Sequence, residues 1–142
     1  MRFLGLDIGT VKIGVALSDE SGTIASPLVV LSAREGFSAL LAEIERICSE
    51  NDVGALVVGL PLSLGGGARG ESARLARTLG DRLSEALGID VTYVDERFTT
   101  AAADRALVTA DVRRQKRRAV VDKVAAALLL QAHLDARGGD EP

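Results

Sequence analysis

Cysteine and histidine are almost missing from this chain: Cys48 and His133 are the only ones in 142 residues. One thiol cannot close an internal disulfide, and one Cys with one His cannot assemble a zinc-type cluster. Aromatics make up 3% of the residues: Phe3, Phe37, Phe98 and Tyr93, with no tryptophan. So few rings offer little stacking surface for unpaired bases. Recognition of nucleic-acid shape or ends therefore fits this composition better than single-strand stacking. No apolar run approaches the length of a membrane span. Met1-Arg2 leads straight into an apolar segment, without the pattern of a secretory leader. A cytoplasmic protein with no membrane partner is expected. The net charge of -3 exerts no global pull on a polyanion, so nucleic-acid binding would have to come from a local patch.

What is present is globular: 47% hydrophobic and 26% charged residues, enough for one core. The expected organisation is a single domain over residues 1–137 and a frayed tail at 138–142. Residues 2–8 and 11–18 read as a hairpin turning at Gly9-Thr10, and 22–31 as a third strand. Helical spacing then takes over in 35–50, where Phe37, Leu40, Leu41, Ile44, Ile47 and Cys48 recur on one side. A buried strand is expected over 54–62, a helix from Glu71 to Leu87 and a strand over 89–95. A short Thr-capped helix over 99–110 and a last helix from about Arg117 to Ala136 complete the set. Three antiparallel strands followed by helix-then-strand crossovers make an α/β fold, a mixed five-stranded sheet with strand one central and helices flanking it.

Ligands of such sheets lie beyond the carboxyl ends of the parallel strands. Asp7 stands near that end of strand one, and Asp95-Glu96 closes "YVDERFTT". Neighbours along a strand point to opposite faces, so only one of Asp95 and Glu96 can serve a given site. A third acid, Asp122, sits in "RRAVVDKVAAALLLQ" with Ala119, Ala125, Ala126 and Leu129 as helical neighbours. That places it on, or at the border of, a face packed on the sheet. Buried carboxylates need a partner or a metal. Three of them without Cys or His favour a hard cation, Mg²⁺ or Mn²⁺. Two such ions about 4 Å apart clamp the attacking and leaving oxygens of a phosphodiester displacement. The plainer alternatives are a turn aspartate at Asp7, a helix cap at 95–96 and an arginine partner for Asp122.

Taken together, "LGLDIGTVKIGVALSD", "VVGLPLSLGGGARG", "VDERFTT" and "RRAVVDKVAAALLLQ" resemble, in order and spacing, the YqgF/RuvX family of RNase H-like nucleases. The resemblance implies an RNase H-like fold with strand order 3-2-1-4-5, strand 2 antiparallel. It implies a metal-dependent nuclease acting in 5′-end maturation of precursor 16S rRNA, or alternatively a Holliday junction resolvase. The family's acids fall on Asp7, Glu96 and Asp122. The family typically carries Lys-Arg before Ile-Gly; Val11-Lys12 stands here, one positive charge short.

"GLPLSLGGGARG" joins a strand to a helix and lacks the "GKS" or "GKT" of a P-loop. It reads as a phosphate-approaching loop with Arg69 adding a charge, as a lid, or as plain flexible chain. "RRQKRR" (113–118) is the densest charge in the sequence. Arg113, Arg114, Lys116, Arg117 and Arg118, with Arg97, Arg105 and Lys123, form a basic segment flanking the acids. Together with Lys12 and Arg69 these are the candidate phosphate contacts, which position a nucleic acid without reading its sequence. Structured RNA, or branched DNA, is the expected partner; a monomer and a homodimer are both compatible. Two other classes stay open. One is a non-catalytic RNA-binding or assembly factor. The other is an ATP-binding domain, because "LDIGTVKIGVAL" also resembles the first phosphate motif of the sugar kinase, actin and Hsp70 fold.

Overall fold

The computed structural model describes residues 1–60, 68–96 and 114–140, with the side chains of 68–69, 114–122 and 138–140 excepted. The chain opens with three strands, β1 (Arg2–Ile8), β2 (Lys12–Ser18) and β3 (Ala25–Ser32). Helix α1 (Phe37–Asn51), strand β4 (Val53–Leu60), helix α2 (Ala68–Leu87) and strand β5 (Asp90–Asp95) follow, and helix α3 (Arg114–Asp140) ends the chain. The five strands form one sheet in the order β3-β2-β1-β4-β5. The pairs β1–β2 and β2–β3 are antiparallel, while β1–β4 and β4–β5 are parallel. This is the expected topology.

Strand alternation divides the core between the two faces of the sheet. Leu4, Leu6, Ile13, Val15, Leu56 and Val58 pack on one face with Leu40, Ile44 and Ile47 of α1 and Leu83 of α2. Phe3, Ala16, Ala55 and Val57 pack on the other with Ala126, Leu129, Leu130 and Leu134 of α3. The near-continuous apolar run of β4 follows from this burial on both sides.

Helix α3 lies close against β1 because Gly5 offers no side chain. A Cβ there would stand 2.9 Å from Leu130 Cβ and 3.1 Å from the Ala126 carbonyl oxygen. Nearer the start of β1, the Phe3 ring meets His133 edge-on at 5.7 Å, and the Arg137 guanidinium covers it at 4.6 Å. As β1 advances from residue 3 to residue 5, its contacts on α3 step back from 133–137 to 126–130. The two therefore run antiparallel.

Some boundaries differ from those read in the sequence. β3 begins at Ala25 rather than residue 22, because Asp19 binds the intervening turn: its side chain accepts the Thr23 and Ile24 backbone N–H groups at 2.8 and 3.1 Å. α2 starts three residues before Glu71. α3 extends at both ends, to Arg114 and Asp140. The expected helix over 99–110 and strand residues 61–62 lie outside the described residues.

Candidate active site

Asp7 follows Phe3 and Gly5 on the α3 face of β1 by strict alternation. It is half-buried beside the parallel β4, where the pairing Leu6 with Val58 brings Asp7 level with Gly59. On the far side of β4, Gly59 pairs with Val94 and Leu60 with Asp95, so Glu96 leaves β5 just past this level. Glu96 lays its side chain over Gly59: a Cβ on Gly59 would lie 2.5 Å from Glu96 Oε1 and 2.7 Å from its Cγ. The Glu96 carboxyl then hydrogen-bonds that of Asp7 across the intervening strand.

Such a pair holds together in the absence of a cation only if it keeps a proton. Burial, the hydrogen bond to Asp7 and the charges of Asp7 and then Asp95 push Glu96 up to about 9. The donors are all carboxylate oxygens, with no thiolate and no imidazole beside them, which suits a hard divalent cation. A cation would take the place of the shared proton. Among the described residues, no set of three Asp, Glu, His or Cys side chains gathers closely enough to hold a metal.

The third acid of the expected site, Asp122, belongs to α3, one turn before Ala126. The antiparallel register that sets Ala126 and Leu130 over Gly5 carries the backbone at 122 toward the Asp7 end of β1. Its side chain lies outside the described residues. Lys12 is exposed and shares the α3 face of β2 with Gly14 and Ala16, since Ile13 and Val15 face the other way. Lys123 is half-buried on α3. Arg69 belongs to the first turn of α2, and Arg114, Lys116, Arg117 and Arg118 to the start of α3. The backbone of this basic run thus stands at the carboxylate end of the sheet; its side chains are outside the described set. Arg97, Arg105 and Arg113, with Phe98 and Gly65–Gly67, fall wholly outside the described residues.

The residue that sequence reasoning missed is Gly59. Its signal was there in "VVGLP": a glycine inside an apolar strand marks a close approach by another group. The remaining polar oddities lie elsewhere and do structural work. His133 is half-buried on Phe3, its pKa lowered by burial and then by Arg137. Cys48 is buried in the core, where desolvation pushes the thiol up to about 11, so it is not a nucleophile.

The model of one protein family, described as "RuvX: Holliday junction resolvase", matches residues 1–136. The chain belongs to the RuvX (YqgF) family. A Clostridium beijerinckii relative named "Putative pre-16S rRNA nuclease" is 42% identical over 135 residues, covering 95% of this chain and 96% of its own length. A Myxococcus xanthus relative of the same name is 44% identical over 136 residues, covering 96% and 89%. Membership makes this RuvX-family chain a hydrolase of the nuclease class.

Solved structures agree on the fold. Thermus thermophilus RuvC in complex with a Holliday junction substrate superposes with a TM-score of 0.62 at 16% identity, over 98% of this chain and 97% of that one. The fowlpox virus resolvase complexed with junction DNA gives 0.55 at 10% identity, over 96% and 99%. At such identities the likeness speaks to architecture alone. The architecture is RNase H-like.

Proposed function

We propose that Asp7, Glu96 and Asp122 hold Mg²⁺ or Mn²⁺ and that the protein hydrolyses a phosphodiester bond in precursor 16S rRNA, in maturation of its 5′ end. The observation that carries this reading is the Asp7–Glu96 pair, joined across β4 at the carboxyl end of the parallel strands. The relatives' name supports the substrate. Divalent ions held there would supply activation of the attacking water and neutralisation of charge on the leaving oxygen. The chain's own part is to present carboxylate oxygens from a rigid sheet. Glu96 releases its proton from the shared hydrogen bond when the site is loaded. Lys12, Arg69, Arg97, Arg113, Arg114, Lys116, Arg117, Arg118 and Lys123 supply phosphate contacts around the acids and fix the position of the backbone to be cut.

Asp7→Asn keeps the shape and removes the charge. With a 16S precursor fragment and Mg²⁺ or Mn²⁺, its kcat should fall about 100-fold or more. Cleavage at the wild-type rate would end the carboxylate mechanism. The family's description as a resolvase favours a second substrate, a DNA four-way junction, and the same assay run on a synthetic junction decides between them. Cutting of the junction alone replaces RNA with DNA. Cutting of neither, with RNA still bound, makes the protein a non-catalytic assembly factor.

A further inference from the structure

We infer that Gly59 is a positioning residue of this site: its missing side chain is the passage by which Glu96 reaches Asp7. The inference rests on the metal-site reading above and adds to it the residue that makes the site geometrically feasible. β1 and β5 are not neighbours. With β4 between them their axes stand roughly 10 Å apart, so two carboxyl groups on these strands meet only if one crosses the middle strand. The crossing is low over the sheet. A Cβ at 59 would intrude both on Glu96 Oε1, at 2.5 Å, and on its Cγ, at 2.7 Å. Rotating the terminal carboxylate relieves the first contact and leaves the second. On the helix side, Leu129 Cδ2 of α3 stands 2.8 Å from the same Cβ position, so the methyl would press on the helix as well. Gly59 has no positive φ, so its backbone is open to any residue. In a central strand a glycine costs stability, and what offsets that cost here is contact, not conformation.

The alternative role for Gly59 is to admit Leu129, a matter of helix packing. Gly59→Ala, Leu129→Ala and the double variant Gly59→Ala/Leu129→Ala separate the two in the full chain. Leu129→Ala makes room for the methyl on the helix side and leaves the Glu96 crossing blocked. Mn²⁺ titration by calorimetry should show affinity at least about tenfold weaker in both Gly59 variants and unchanged in Leu129→Ala. In cleavage assays kcat should fall with it, while KM for the nucleic acid stays within about twofold. Wild-type Mn²⁺ affinity in the double variant would overturn the inference. Should Gly59→Ala fail to fold, rescue of folding by Glu96→Ala upholds the crossing, and rescue by Leu129→Ala alone overturns it. If the wild-type protein itself takes up no Mn²⁺, the metal reading fails separately. The crystal structure of the double variant then decides the part of Gly59: Glu96 turned away from Asp7 upholds it, and an intact pair overturns it.

Discussion

A carboxyl group buried against a second carboxyl keeps its proton well above the range in which an exposed glutamate loses it. For Glu96 the folded value is about 9 against an ordinary 4.5. The sign of the linkage follows. Between these limits the folded chain binds more protons than the unfolded chain, so stability falls as pH rises through the window. The contribution is fully present below about pH 4.5 and gone above about 9. Its slope is at most about 1.4 kcal/mol per pH unit and smaller here, because the residue keeps partial contact with solvent. Thermal melts in chelator should therefore decline from pH 5 to pH 9, and Glu96→Gln should flatten the decline. A melting profile equally steep in that variant would assign the dependence to other groups. Asp7 and Glu96 were readable as single residues from their places at strand ends. That they belong to one site was expected as well; the way they meet was not legible, because it depends on the absence of a side chain on a third strand.

At the scale of elements, α3 packs against all five strands of the sheet. Small residues, Ala125, Ala126 and Ala127, are buried where it meets the sheet. One polar clamp ties it to the edge strand. Gln131 Oε1 accepts the Ala25 backbone N–H at 2.8 Å, and Nε2 donates to the Thr23 carbonyl oxygen at 2.8 Å and to Asp135 at 2.9 Å. Gln131→Ala should cost about 1–2 kcal/mol in urea denaturation, since the start of β3 loses the side chain that ties it to the helix. A cost near zero would mean that water replaces the amide. On the opposite edge, Tyr93 of β5 is held by the Arg77 carbonyl oxygen at 2.8 Å and by Asp81, with the Arg77 guanidinium 4.5 Å above its ring. The elements themselves were largely legible. Period-2 and period-3.6 patterns located β1 and β2 and the central turns of α1 and α2 closely. Ends were less so, because a turn bound by Asp19 and a helix extended in both directions leave no mark in hydrophobic periodicity.

Over the whole molecule, a chain of net charge -3 has to bind a polyanion through one region. The basic run opening α3 stands at the same end of the sheet as the carboxylates, because α3 runs antiparallel to β1. Neutralising Arg117 and Arg118 together should weaken RNA binding similarly for all sequences. It should also reduce the slope of log affinity against log salt by about 1–2. An unchanged slope would remove these residues from the phosphate contacts. The amino-acid sequence by itself determined the element types, the crossovers that make the later strands parallel, and the family, since these follow from local periodicity, chain connectivity and short motifs. The family resemblance pointed to Glu96 rather than Asp95; only the tertiary structure decided that its carboxyl reaches Asp7 by passing over Gly59. Contact across a strand is set by the register of three strands and the height of one helix above them, quantities that no local pattern of residues encodes.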